Sequence, residues 1–167
     1  MAQTSTTLIS AKSHITSITG TDISLSATSG VYTISATSTV LTGAGKLAVG
    51  DLITVSGSAS NNSTFTVSTV VSTTELTVAE VVTSENADGS STITLDHVGF
   101  VSDKAKGDGY YSQPDGVHTV AYQVANDFNA DATIKMQGTL ATTPTEDDWF
   151  DIANTTFTSD TSTLTSS

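Results

Sequence analysis

Residues 45–80 read GKLAVGDLITVSGSASNNSTFTVSTVVSTTELTVAE. Within them Ile53 and Val55, then Phe65 and Val67, then Leu76 and Val78 alternate with hydroxyl-bearing or other polar residues. Such period-two alternation marks half-buried strands, because successive side chains of a strand point to opposite faces. Gly50-Asp51 opens the first strand. Gly57, with Asn61-Asn62, supplies the positive φ of the first connection, and Ser72-Thr73-Thr74 makes the second. Three consecutive strands on short loops form a meander.

The same pattern extends outward in both directions. Ile23, Leu25 and Ala27 alternate with Ser24 and Ser26. After a turn at Ser29-Gly30, Tyr32, Ile34 and Ala36 alternate with Thr33 and Ser35. Ile93 and Leu95 repeat the signal, and turn residues fill the gaps at Gly43-Ala44-Gly45 and Asn86 through Ser90. Thr and Val, both suited to a pleated surface, dominate throughout. Short, evenly spaced strands of this kind predict an all-β fold, with residues 21–100 as a small antiparallel β-barrel. Residues 1–20 are polar and are expected to form an extended arm.

The character changes at 101–116, VSDKAKGDGYYSQPDG, which reads as a linker loop pinned by Tyr110 and Tyr111. Alternation resumes with His118, Val120, Tyr122 and Val124, turns through Asn126 to Asp131, and returns at Ile134, Met136 and Leu140. In TTPTEDDWF, residues 142–150, Thr143 and Glu146 flank Pro144 as a short capping box, predicting one helical turn before Trp149 and Phe150. Phe150 and Ile152 begin a further strand, and 158–167 is a polar tail. Residues 117–157 thus hold about three strands, a β-sandwich-like half with an open edge. An open three-stranded sheet invites pairing with another chain. Completion by a neighbouring subunit, or by the N-terminal arm, is the expectation.

Composition bounds what such a fold can do. The chain of 167 residues carries 33 Thr and 24 Ser, against 38 Leu, Ile, Val and Phe together. That apolar share lies only just above the roughly 20% below which highly charged chains stay unfolded, so the core is thin. Five lysines, no arginine and 17 acidic residues give a net charge of −12. Such a chain cannot neutralise a row of phosphates and is repelled by anionic lipid, which argues against nucleic-acid and membrane partners. No apolar run approaches the ~20 residues of a spanning helix. The opening MAQTSTTLIS lacks the basic start and apolar stretch of a secretion signal. With no cysteine, disulfides, thiol chemistry and cysteine-based zinc sites are excluded.

No constellation marks a catalyst or a cofactor site. His14, His97 and His118 lack metal-ligand spacing, and His118 reads better as a half-buried residue at a sheet rim. Among the 24 serines none sits in a GxSxG elbow. Gly43-Ala44-Gly45-Lys46 fails as a phosphate loop, because Val40 stands at the first glycine and Leu47 at the magnesium-binding hydroxyl. Asp127, Asn129 and Asp131 give the opening spacing of a calcium loop, yet Ala132 and Gly138 replace its glycine and closing glutamate. They are the one calcium candidate, against a solvated hairpin tip. Glu146, Asp147, Asp148 and Asp151 form the densest acidic cluster. Paired carboxylates can serve glycoside hydrolysis, but acids at a helix start are equally favoured by its dipole. Trp149 can stack on a sugar or anchor the local turn. Tyr110, Tyr111, Trp149 and Phe150 are the interaction candidates.

Residues 107–152 resemble a segment of virion structural proteins of tailed bacteriophages, notably those infecting cyanobacteria. The resemblance rests on Gly109-Tyr110-Tyr111, on Asp115-Gly116 leading into His118-Thr119-Val120, and on Gln137-Gly138-Thr139-Leu140 through Pro144 to Asp148-Trp149-Phe150. Residues 50–80 are similar to a small β module of phage structural proteins, through Gly50-Asp51, Val55-Ser56-Gly57 and Asn62 to Val67. Such proteins continue beyond the Trp-Phe strand into strands that close the sheet, whereas here the sequence turns polar from Thr155. This implies closure between subunits, or a shortened version. The resemblance implies a non-enzymatic, homo-oligomeric virion component assembled in the host cytoplasm, a capsid decoration or cement protein contacting other virion proteins. The alternatives are a neck or tail-fibre appendage touching host glycans and, in a different class, a secreted carbohydrate-binding adhesin module.

Overall fold

The computed structural model describes residues 14–102, 133–145 and 148–158. The chain divides into two compact units, Met1–Ser112 and Gln113–Ser167.

The first unit is all-β. Its strands are β1 (Ile18–Gly20), β2 (Ile23–Thr28), β3 (Val31–Ala36), β4 (Asp51–Ser56), β5 (Thr64–Ser72), β6 (Glu75–Val78) and β7 (Ile93–Phe100). They form one seven-stranded sheet in the order β1-β7-β4-β5-β6-β3-β2, every pair antiparallel. β5 pairs with β4 through Thr64–Thr66 and with β6 from Val67 to Ser72, with bulges on the β6 side. The sheet's two edge strands, β1 and β2, are consecutive in the chain and separated only by Thr21-Asp22. No ladder joins them among the described residues.

The alternation seen in the sequence is the alternation of burial. Ile23 and Leu25, Ile53 and Val55, Phe65 and Val67, Leu76 and Val78, and Ile93 and Leu95 all point into one core. Leu41, Leu47 and Val82 join it from the connections. The β2–β3 hairpin turns on Ser29 and Gly30, both at positive φ (52° and 79°), the two-residue geometry whose twist matches the flanking strands. Gly57 takes positive φ as expected (79°), and a Cβ there would meet the Thr92 carbonyl oxygen at 2.1 Å. Asn61 and Asn62 do not take positive φ; they act as hydrogen-bonding side chains instead.

Two sequence expectations change here. Ile18–Gly20, read as arm, are β1, and Ile15 packs against the core, because β7 offers an edge that a three-residue strand can fill. The β6–β7 connection also carries more than turn residues. Leu25 and Glu85 exchange backbone hydrogen bonds (2.9 and 2.8 Å), Ser84 Oγ accepts from Ala27 N (3.0 Å), and Ala87 N donates to Ser24 Oγ (2.9 Å). This strap covers the outer side of β2, an edge that would otherwise present unpaired amides.

The second unit shows β8 (Thr133–Ile134) paired with β11 (Phe157–Thr158), and β9 (Gln137–Gly138) paired with β10 (Phe150–Asp151), both antiparallel. Ile152 N donates to Met136 O (2.9 Å) between the two ladders. The strand expected at His118–Val124 lies outside the described residues.

Candidate functional site

With no arginine and five lysines in the chain, several described carboxylates take their donors from hydroxyls and backbone amides. Asp22, in the link between β1 and β2, accepts from the backbone N–H and hydroxyl of both Ser38 (2.6 and 2.9 Å) and Thr39. Glu80 accepts from Thr66 N and Oγ1, both at 2.7 Å. Asp88 accepts from Ser90 N, Ser91 N and Ser91 Oγ. Glu85 is held by Ser58 Oγ (2.6 Å), Ala59 N (2.9 Å), Ser60 N (3.3 Å) and Asn61 Nδ2 (3.0 Å). Hydrogen bonds to the charged form favour ionisation. The Thr39 hydroxyl accordingly holds Asp22 well below the usual carboxylate range, the Ser91 hydroxyl does so for Asp88, and the Ser58 hydroxyl lowers Glu85. These carboxylates fasten loops through hydroxyl and backbone donors.

The structure brings together two histidines that the sequence left apart. His14 and His97 meet edge-on at 5.6 Å between ring centroids. His97 Nδ1 accepts from Ile15 N (3.3 Å), and its Nε2 faces Asp51 Oδ1 at 3.8 Å. Asp51 is 1% exposed and also accepts from Ala48 N (2.8 Å); His97 is 7% exposed. A buried carboxylate beside a buried imidazole resembles two thirds of a triad. Here the other ring nitrogen of the imidazole is taken by a backbone amide, so the pair ties the segment before β1 to β4 and β7.

The remaining candidates sort as follows. Trp149 is half-buried and Phe150 is 52% exposed. Asp148 accepts from Thr145 N (2.7 Å) and Oγ1 (2.8 Å), which lowers its carboxyl. Thr145 is thus tied to the carboxylate three residues on, its N–H and its hydroxyl both donating to Asp148 Oδ2; the expected Thr143–Glu146 box involves Glu146, outside the described residues. Asp151 is held by Lys135 Nζ and Gln137 Nε2, with Lys135 the larger influence lowering it. Gly43-Ala44-Gly45-Lys46 closes a tight turn through Lys46 N to Gly43 O. Tyr110, Tyr111, His118, Asp127, Asn129, Asp131, Glu146 and Asp147 lie outside the described residues. Among the described residues no group of three or more His, Cys, Asp or Glu stands close enough to hold a metal ion.

What remains is surface. The outward faces of β2, β3, β6 and β5 align Ser26, Thr33, Thr77 and Thr69 directly opposite one another across four strands. The Thr69 and Thr77 hydroxyls touch at 2.7 Å, and Thr54 and Thr64 form a similar pair at 3.0 Å on β4 and β5. Beside this row an open groove of about 420 Å³ runs between the β2–β3 turn and the bulge of β5, lined by Val31, Tyr32, Ser68, Thr69 and Thr77 among others. In the second unit Leu140 is 94% exposed, with Phe150 and Ile152 also turned outward. The sequence singled out Phe150 but not the hydroxyl row, whose signal was the recurrence of Ser or Thr between the core residues of successive strands.

Comparison with protein-family models, with curated proteins and with solved structures finds no match to this chain.

Proposed function

We propose that this chain is a non-enzymatic structural component of a tailed-phage virion, an outer-surface capsid decoration or cement protein that works as a homo-oligomer among other virion proteins. The observation that carries the oligomeric part is in the second unit. None of its described residues is buried, and Leu140, Phe150 and Ile152 face outward. Two-residue ladders with no buried residue among the described ones are below what an isolated sheet needs for stability. In this reading the unit is a β-sandwich-like half completed by other copies.

The finer architecture of the first unit belongs to the same reading. Consecutive strands at opposite edges, joined by two residues, require the sheet to curl until its edges approach; three peptide units span at most about 11 Å. We read it as a small barrel whose rim is completed by the strap over β2. The resemblance of residues 107–152 and 50–80 to phage structural modules supports the virion setting. The −12 charge suits a surface protein that keeps particles apart.

Light scattering on the full chain tests the oligomer, with Leu140→Ser and Phe150→Ser as variants. Oligomers that dissociate in the double variant are expected. A monomer at all concentrations, with residues 133–158 protected from amide exchange, overturns the shared-core reading. Mass spectrometry of purified particles tests the setting: hundreds of copies indicate decoration, and about a dozen a fibre or neck.

A further inference from the structure

From the hydrogen bond that Ile15 N donates to His97 Nδ1, we propose that His97 is a proton-operated latch: protonation of its ring releases residues 14–17 from β7 while the sheet stays folded. The inference goes beyond the structural role and does not depend on it.

The latch follows from what holds the segment. The ladder between β1 and β7 begins at Ile18, so residues 14–17 are docked, among the described residues, through side chains. Ile15 N donates to His97 Nδ1 (3.3 Å), the half-buried Ile15 side chain packs against the core, and Ser17 Oγ donates to Asp96. His14 adds an edge-on contact with the His97 ring, 5.6 Å between centroids. Two of these contacts converge on one imidazole.

A ring nitrogen that accepts a hydrogen bond carries no proton. The docked ring is therefore the neutral tautomer with its proton on Nε2. An imidazolium has two N–H groups and no acceptor. Protonation at Nδ1 thus turns its meeting with the Ile15 N–H from a hydrogen bond into an opposition of two donors. The new charge also sits on the ring that His14 touches, where a second imidazolium adds like-charge repulsion.

The strand on the other side pulls the opposite way. Among the described residues the titratable groups facing the His97 ring are Asp51, from β4, and His14, from the segment itself. Asp96, next on β7, pairs with Thr54 in the outward row and accepts from Ser17. Asp51 Oδ1 lies 3.8 Å from His97 Nε2, and Ala48 N fixes that carboxylate through Oδ2 (2.8 Å). A fixed carboxylate favours the imidazolium whether or not the segment is docked. β4 thus favours the proton and only residues 14 and 15 oppose it, so its uptake is coupled to their undocking. β1 keeps its three paired residues and its buried Ile18, which confines the release to the segment before it.

The test is a titration of the isotope-labelled full chain from about pH 7.5 to about 5, the range in which imidazoles change charge. The His97 ring is followed by its carbon and nitrogen shifts. The amides of residues 14–17 are followed by protection factors, which remove the intrinsic pH dependence of exchange. A docked form that excludes the proton is stable above the undocked ring's pKa and is lost as the pH falls through it. The Ile15 amide should accordingly lose protection about tenfold per pH unit below the ordinary imidazole value of about 6.5. Amides of β2 and β4 should keep theirs, and the melting temperature should hardly move. His97→Gln, whose side-chain oxygen still accepts but does not titrate, should hold the Ile15 protection constant over the range. Asp51→Asn should shift the release to lower pH by about one unit. Ile15 protection that stays constant while the His97 ring titrates overturns the latch, as does a ring that stays neutral throughout. An equal loss in His97→Gln overturns it as well. Parallel loss of β2 and β4 protection would show global unfolding in place of release and equally overturn it.

Discussion

Glu85 pairs with Leu25 through both backbone hydrogen bonds while its carboxylate is gripped by the Ser58–Asn61 loop on the other side of the strap. One residue thus joins the edge of β2 to the β4–β5 connection. Asn61, buried, reinforces the joint by exchanging hydrogen bonds with Thr83 through its side-chain amide (2.7 and 3.0 Å). Val82 inserts into the core beside them. The strap is held by its ends and by one apolar plug, not by a ladder.

Glu85→Ala should therefore loosen the strap before it unfolds the sheet. Four donors lose a charged acceptor, but two of them are amides of the exposed Ala59 and Ser60, which water can reach, so the cost is about 1–2 kcal/mol. The urea midpoint should fall accordingly. Limited proteolysis should move to residues 83–91, with β4 and β7 amides still protected. Glu85→Gln should retain part of the stability, because its oxygen still accepts. Cleavage elsewhere with an intact strap would refute this role.

Acid should act through the same clamps. Asp22, Asp88 and Glu85 have carboxyl groups held below their ordinary values by hydroxyl and amide donors. A carboxylate depressed in the folded state stabilises above its unfolded pKa, about 4, and that contribution is lost as the pH falls toward the folded value. Stability should thus be nearly flat from about pH 8 to about 5 and decline below about 4. Asp22→Asn should shallow the acid limb. A melting temperature that rises as the solution is acidified through that range would show relief of charge repulsion to be the larger effect.

The β2–β3 turn offers a change of opposite sign. Ser29 sits at φ 52°, a left-handed conformation that glycine and asparagine adopt more readily than serine. Ser29→Asn should stabilise by a few tenths of a kcal/mol. Gly57→Ala should destabilise by about 2 kcal/mol or more, since positive φ and the Thr92 carbonyl both oppose a Cβ. Thermal unfolding of the two variants in parallel reads the contrast.

The reach of sequence reasoning is clear from these positions. Strands β2 to β7 were legible because core residues recur at every second place, and Ser29-Gly30 was legible as a turn. β1 was not: Ile15 and Ile18 stand in a polar run with no period of two, and only the edge of β7 makes a strand of Ile18–Gly20. Leu41 and Leu47 are buried from a turn-rich segment whose core role depends on where its ends are pinned, at the Thr73 carbonyl for Leu41. The carboxylate clamps were invisible because Asp22 and Thr39, or Ser58 and Glu85, lie 17 and 27 residues apart. The acidic composition signalled a surface; it did not reveal that hydroxyl groups replace the missing cations.

Asp51 and His97 supply the last prediction. Both are buried, and each also holds a backbone amide, from Ala48 and Ile15 respectively. His97→Phe keeps the bulk but faces the Asp51 carboxylate with an apolar ring, and removing one side of a buried polar contact costs about 1–3 kcal/mol. The Ile15 amide loses its acceptor at the same time, so residues 14–17 should exchange faster than β2 or β4. Asp51→Asn combined with His97→Gln, which leaves neutral hydrogen-bonding groups on both sides, should recover much of the stability. If His97→Phe alone proved neutral in chemical denaturation, the pair would be a bystander, and the docking of the segment before β1 would rest on Ile15 and Ile18 packing into the core.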